Sequence, residues 1–146
     1  MNTPLRRLDG ISYWVIDSPE GIADFVETEV RKEWENDIKT MPEDPASGLW
    51  LATLVNRQWR LEILRSNGVR LDESAMTYVD LKTGYNFAER LAKRREELRT
   101  GLERWGRVIW PIIIRGEDMQ VLDGYCRYTT LLEMGIQRIY AYVGRL

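Results

Sequence analysis

An α/β fold is predicted from two features of the sequence. Strand-like and helix-like segments alternate along the 146 residues, and the composition is that of a folded domain. Hydrophobic residues make up 44% of the chain and charged residues 30%, with a mean hydropathy of −0.41. A chain of this length can bury most of its apolar surface in one core. We therefore expect residues 1–146 to form a single domain.

The first half of the chain predicts one strand followed by two helices. Residues 11–16 carry Tyr13, Trp14 and Val15, which favour a strand, and residues 17–20 then supply a helix cap and a first-turn proline. Apolar residues recur at steps of three and four over residues 22–38, which predicts an amphipathic helix. Residues 40–48 are rich in proline, glycine and other residues that interrupt helices and strands. Residues 49–64, with the apolar positions Trp50, Leu54, Trp59, Leu61 and Leu64, predict a second helix.

The second half predicts strands separated by two helices. A helix over residues 86–105 should bury the stripe Phe87, Leu91, Leu98, Leu102 and Trp105, and Gly106 should end it. A second helix spans residues 125–134, with Gly135 after it. We expect a small mixed sheet covered by helices. Its strands are predicted at residues 76–81, 112–115, 119–122 and 138–143. Residues 1–75 should form a helical extension, with room for an edge strand, packed on a core of residues 76–146.

Several classes of chemistry are excluded by composition. The chain has no histidine and one cysteine, so histidine-dependent nucleophilic catalysis, common zinc sites and an internal disulfide cannot be built. The chemistry that remains available uses carboxylates, arginines and tyrosines, together with an oxygen-bound cation such as magnesium. The apolar run 108–114 is interrupted by Pro111 and is too short for a membrane span, and no apolar segment follows the N-terminal arginines. We expect a cytoplasmic protein without a membrane anchor.

Charge is unevenly distributed along the chain. Residues 1–75 hold nine Lys or Arg against fourteen Asp or Glu, a net charge of −5, whereas residues 76–146 hold twelve against nine, a net charge of +3. An anionic ligand is therefore expected on the second half. Seventeen of the twenty-one cations are arginine, which suits bidentate phosphate contacts, although codon bias explains the same excess.

The segment with the clearest chemical character is a strand that turns directly into a helix at Asp123-Gly124. Glycine allows the sharp turn, and the first backbone N–H groups of the helix then form a favourable place for a phosphate. Arg127, in the first helical turn, can add a charged fork to the same anion. Spacing alone also fits a purely structural role, in which Asp123 caps the helix and Arg127 extends to solvent.

The segment from Pro111 to Tyr128, together with the strand at residues 139–143, resembles the ParB/sulfiredoxin superfamily. Members of that family place Asp-Gly-His-His-Arg-Tyr or related residues at the same strand-to-helix turn, after a Pro-Ile-x-Val strand. The resemblance covers residues 76–146. It implies that Gly124 is the turn glycine, that Arg127 contacts phosphate, and that Asp123 matches the aspartate of the Asp-Gly-His-His-Arg branch.

Departures from the family pattern narrow the expected activity. Tyr125 stands where sulfiredoxins have their catalytic cysteine, which rules out that activity. Gly-Tyr-Cys-Arg replaces the Gly-Glu-Arg-Arg of ParB clamps, and we expect no helix-turn-helix domain after residue 146 and no clamp on DNA. The remaining branch includes small-molecule kinases, which implies ATP or ADP, magnesium and a small hydroxyl substrate, although Cys126 replaces the family's histidine. Asp80 and Asp123 are the carboxylates expected to act in catalysis.

Other residues have a functional and a structural interpretation. Cys126 is either a reactive thiolate or a packed side chain, and Tyr125, Tyr128 and Thr129 either line the nucleotide site or belong to the core. Lys and Arg residues of the helix at 86–105 either contact nucleic acid or pair with its glutamates, and pairing is the simpler interpretation. The resemblance places Arg90 near the pocket. The six tryptophans, at positions 14, 34, 50, 59, 105 and 110, are expected to build a large aromatic core, with an aromatic substrate pocket as the alternative. The alternative function is a non-catalytic module that binds a regulatory nucleotide, DNA or a protein.

Overall fold

The computed structural model describes residues 4–40 and 56–146. In chain order its strands are β1 (Leu5–Leu8), β2 (Ile11–Trp14), β3 (Gln58–Arg65), β4 (Val79–Asp80), β5 (Tyr85–Asn86), β6 (Ile112–Arg115), β7 (Gln120–Asp123) and β8 (Arg138–Arg145). Its helices are α1 (Pro19–Phe25), α2 (Arg31–Thr40), α3 (Glu73–Met76), α4 (Phe87–Trp105) and α5 (Tyr125–Glu133). A π-helical turn, Val26–Val30, joins α1 to α2. Within the described ranges no helix is long and apolar enough to span a membrane.

The main sheet is mixed, as predicted, and has the strand order β3-β8-β6-β7. Strand β8 runs parallel to β6 and antiparallel to β3, while β6 and β7 form an antiparallel pair. The inner strands are apolar at nearly every position, which is typical of strands buried on both faces. The predicted α/β class is therefore confirmed.

Helices cover both faces of this sheet. Ile112 and Ile114 point to one face, in a core shared with Leu98 of α4 and Leu131 of α5. Ile113 points to the other face, where a second core is formed with the helical segment at residues 19–40. The residues of this second core are Ile22, Val26, Val30, Trp59, Ile113, Leu122 and Tyr142. The three layers place the N-terminal helices directly over the sheet.

The N-terminal strand prediction is confirmed, and a strand that was not predicted accompanies it. Strands β1 and β2 form a hairpin in which Asp9 and Gly10 both have positive φ, 49° and 83°, as a tight two-residue turn requires. Tyr13 forms a parallel bridge with Ile109. Asp9 also makes an ion pair of 2.8 Å with Arg138 at the start of β8. The hairpin is thereby fixed beside the main sheet.

The predicted helix at residues 49–64 is wrong over its second part. Residues 49–55, which include Trp50 and Leu54, lie outside the described residues, but residues 58–65 form strand β3. All eight of its residues pair with β8. Trp59 is 1% exposed, and its ring lies so close to Gly144 that no larger residue fits opposite it. Strand pairing and this packing override the apolar spacing that suggested a helix.

The predicted strand at residues 76–81 is also wrong for the most part. Asp72 caps the short helix α3 by accepting a hydrogen bond from the Ser74 backbone N–H at 2.9 Å. Only Val79 and Asp80 are extended, and they pair with β5 in a separate two-stranded sheet. The main sheet instead has β3, which the sequence did not predict as a strand, as one of its four strands.

The remaining helix predictions are confirmed with small shifts. Ser18 caps α1, Gly106 ends α4 with a φ of 59°, and α5 begins one residue after Gly124. The prediction that Trp105 belongs to the buried stripe is wrong: its side chain is 79% exposed, because it lies in the last turn of α4 beyond the packed part of the helix. Trp14 is 37% exposed as well, so the tryptophans do not form one aromatic core.

Candidate ligand-binding cleft

The strand-to-helix turn has the backbone geometry expected from its sequence. Gly124 has a φ of 107° at the N-cap of α5. A Cβ atom at this position would lie 2.7 Å from Cγ2 of Ile112 and 2.8 Å from Nη2 of Arg127. Glycine is therefore required both for the backbone angle and for the close approach of its neighbours.

A β-bulge directs Asp123 to its place. Ile114 pairs with Val121, but the register then shifts so that Ile113 pairs with Asp123. Leu122 and Asp123 consequently both lie on the sheet face that α1 covers. Without the extra residue, side-chain alternation would send Asp123 to the opposite face, toward α5.

Arg127 folds back across the turn. Its Nη2 donates to Oδ2 of Asp123 and its Nη1 donates to the backbone carbonyl of Trp110, both at 3.2 Å. The two charged side chains are largely buried, with 20% of Arg127 and 28% of Asp123 exposed. The predicted arginine and aspartate are thus brought together as an i,i+4 ion pair.

This ion pair lies at a cleft of about 620 Å³ between the N-terminal helices and the sheet. One wall is made by Ile113, Pro111 and the Asp123–Arg127 pair. The other wall comes from the helical segment at residues 21–33. The lining residues from that segment are Gly21, Asp24, Phe25, Thr28, Glu29, Val30 and Glu33, and Ile16 and Trp110 complete the cleft.

An aromatic pair forms the apolar part of the cleft. Phe25 of α1 and Trp110, at the entry to β6, stack with ring centroids 4.4 Å apart and an interplanar angle of 24°. The contact joins the N-terminal helix to the segment that leads into β6. Because the Trp110 carbonyl also accepts from Arg127, this residue links the aromatic wall to the charged pair.

The rim of the cleft is acidic. Asp24, Glu29 and Glu33 are exposed residues of the N-terminal helices, and with Asp123 they place four carboxylates against the single cation of Arg127 among the described lining residues. The π-helical turn lies within this wall and sets the spacing of Asp24 and Glu29. Sequence reasoning missed this wall, because the same residues are typical of the solvent face of an amphipathic helix.

Several predicted site residues belong to packing instead of the cleft lining. The Tyr125 hydroxyl accepts from the Asp72 N–H at 3.3 Å, and the Tyr128 hydroxyl donates to the Ser66 carbonyl at 2.6 Å. The Thr129 hydroxyl donates to the Tyr125 carbonyl at 2.7 Å. Burial raises the pKa of the Cys126 thiol, which disfavours a reactive thiolate.

Asp80 and Arg90 lie outside the cleft lining. The Asp80 carboxylate accepts from the Lys82 N–H at 3.0 Å and from the Thr83 hydroxyl at 2.9 Å, which closes the turn between β4 and β5. The Arg90 guanidinium stands over the Tyr85 ring, 5.6 Å from its centroid. Both side chains therefore contact residues close to them in the sequence, near the start of α4, and neither lines the cleft.

Two arginines of the basic helix α4, Arg95 and Arg99, lie in ion pairs. Arg99 contacts Glu103 at 2.8 Å and Glu133 of α5 at 2.9 Å, and Arg95 lies 4.0 Å from the same Glu133 carboxylate. For these two residues the structure agrees with the interpretation that the helix pairs its cations with neighbouring glutamates.

No protein-family model and no curated protein matches the chain. Solved structures that are similar to it include the C2221 form of a Pnob8-like ParB N-domain, with 16% identity over 62% of this chain and a TM-score of 0.44. Another is a pNOB8-like ParB N-domain, with 17% identity over 63% of this chain and a TM-score of 0.43. The chain spans about a third of the length of those chains, 31% and 30%.

Proposed function

We propose that the cleft binds a nucleotide, ATP or ADP, as its magnesium complex and transfers a phosphoryl group to a small hydroxyl compound or to water. The observation that carries the proposal is that Asp123 and Arg127, singled out by their sequence pattern, lie together at a cleft of about 620 Å³. A cleft of this volume is of the size that binds small molecules.

The parts of a nucleotide have complementary surfaces in this cleft. Arg127 offers a guanidinium fork for phosphate oxygens, at the N-terminal end of α5, where the helix dipole favours negative charge. Phe25 and Trp110 offer an aromatic surface for a base. The phosphates and the base would thus lie in adjacent parts of one cleft.

Charge balance calls for a divalent cation. Four carboxylates face one arginine in the lining, so a bare polyphosphate would be repelled. The described residues contain no group of three or more acidic or cysteine side chains placed to hold a metal alone. Magnesium commonly binds through one or two carboxylates together with substrate phosphates, and this donor set fits that arrangement. Asp24 and Glu29 of the facing helical wall are the carboxylates suited to it, because Asp123 is engaged by Arg127.

In the proposed reaction the bond between the γ-phosphorus and its bridging oxygen breaks, and a bond forms to the acceptor oxygen. The acceptor proton passes to a carboxylate of the cleft, and ADP leaves; with ADP as the donor, the β-phosphoryl group is transferred in the same way and AMP leaves. Arg127 would stabilise the charge on the transferring group. Histidine is not needed for these steps.

The test is calorimetric titration of ATP, ADP, CTP and GTP with magnesium, on wild type and on Arg127→Ala. We expect one nucleotide to bind and its dissociation constant to rise about 10- to 100-fold in the variant, because charge-assisted hydrogen bonds are lost. Arg99→Ala removes an exposed arginine outside the cleft and should bind as wild type does. Absence of binding by folded protein, or equal binding by Arg127→Ala, contradicts the proposal.

Binding without catalysis is the alternative, and product analysis separates the two. A catalytic cleft releases ADP or inorganic phosphate on incubation with magnesium-ATP and small hydroxyl compounds, whereas a regulatory cleft returns the nucleotide unchanged. The ion pairs that engage Arg95 and Arg99 of α4 give no support to binding of nucleic acid through that helix.

A further inference from the structure

The Asp123–Arg127 ion pair is more weakly formed than a comparable pair elsewhere in the same sheet. Arg115 and Asp118 are similarly buried and share two hydrogen bonds, at 3.0 and 2.7 Å. Arg127 makes a single contact to Asp123, at 3.2 Å, which is longer than is usual for a charged pair. Its other contact among the described residues is the Trp110 carbonyl. Arg127 therefore retains donors that neither partner uses.

The position of the pair explains why a carboxylate belongs there. Arg127 lies across the Gly124 turn, near the N-terminal end of α5. A cation is disfavoured at that end of a helix and an anion is favoured. The Asp123 carboxylate supplies the missing negative charge, and the β-bulge between Ile113 and Ile114 is what directs it there.

We infer that Asp123 is an internal competitor for Arg127, which a ligand phosphate must displace before it can bind. The inference rests on the proposed function in naming phosphate as the displacing anion. In the free protein Asp123 holds the guanidinium by one hydrogen bond. In the complex Arg127 turns its fork to the phosphate and the Asp123 carboxylate is released into the cleft. The pair keeps the site closed to weaker anions.

The test measures magnesium-ATP and magnesium-pyrophosphate binding to wild type and to Asp123→Asn. Asparagine keeps the size and an acceptor oxygen but removes the competing charge. We expect the dissociation constants of both ligands to fall about five- to tenfold, the change expected for one partly buried ion pair. Asp118→Asn removes a carboxylate of similar burial from the Arg115 pair, outside the cleft, and should leave both constants unchanged.

Pyrophosphate has no base, so it separates this inference from the proposed function. Unchanged or weaker binding of both ligands by Asp123→Asn overturns the competition, and wild-type binding of ATP then still supports the proposed function. Tighter pyrophosphate binding with no ATP binding supports the competition and contradicts the nucleotide proposal. If neither ligand binds either protein, both are overturned. Asp123→Ser is a second variant that should change affinity in the same direction if Asp123→Asn does not fold.

Discussion

Replacing Gly124 with alanine tests the physical basis of the turn on which the cleft depends. The methyl group would sit 2.7 Å from Cγ2 of Ile112, which is 2% exposed and cannot move without disturbing the core. It would also lie 2.8 Å from Nη2 of Arg127. The substitution therefore strains the backbone, overpacks the core and displaces the arginine.

The cost can be worked from these contacts. A φ of 107° in a residue with a Cβ costs about 1–2 kcal/mol. Overpacking against a well-packed neighbour adds about 1–3 kcal/mol. We expect Gly124→Ala to lower the free energy of unfolding by about 2–5 kcal/mol in total.

Alanine substitutions at two other glycines, compared in urea unfolding experiments, distinguish the cost of backbone strain from the cost of overpacking. Gly106 has a φ of 59° but no atom within 4 Å of its Cβ position, so Gly106→Ala should cost about 1 kcal/mol from strain alone. Gly68 has neither a positive φ nor a close neighbour, and Gly68→Ala should cost about 0.5 kcal/mol or less. A loss in Gly124→Ala that is no larger than in Gly106→Ala would refute the steric argument.

Two further predictions concern the core beneath the N-terminal helices. Trp59→Ala should lower the free energy of unfolding by about 3–5 kcal/mol, and Trp105→Ala by about 0.5 kcal/mol or less, because only Trp59 is buried. Burial raises the pKa of Tyr142 to about 12 from an ordinary value near 10, so the unfolded chain loses this proton first as pH rises. The contribution of neutral Tyr142 to the free energy of unfolding is fully present below pH 10 and is lost as the pH rises toward 12. Tyr142→Phe should lose less unfolding free energy between pH 9 and 11 than wild type, which urea titration at both pH values measures.

Local signals in the sequence predicted those elements that local interactions determine. Ser18 accepts from the Gly21 N–H to begin α1, and Gly106 ends α4 in the left-handed conformation. Such caps act within a few residues, so they can be recognised without the rest of the fold. This explains why α4, α5 and the turn at Gly124 lie close to their predicted positions.

Strand β3 shows where local signals are insufficient. Its apolar residues Trp59, Leu61 and Leu64 fit a helical spacing as well as an extended segment, and short apolar segments are ambiguous in this way. Pairing decides between the two, because Gln58 to Arg65 align with β8, which lies about eighty residues further along the chain. The β-bulge that re-aims Asp123 is likewise set by pairing between strands.

The candidate site depends on both kinds of information. The turn at Gly124 and the arginine at 127 could be found from residue types, but the N-terminal helix that faces them lies about a hundred residues earlier. That helical segment contributes Asp24, Glu29 and Glu33. Their negative charges outnumber the positive charge that Arg127 and the helix N-terminus supply at the turn. An isolated helix N-terminus with an arginine attracts anions, whereas this cleft carries a net negative lining. The proposed ligand, a metal-bound phosphate, fits such a lining because the metal offsets the repulsion between the phosphate and the carboxylates, and Arg127 supplies the remaining positive charge.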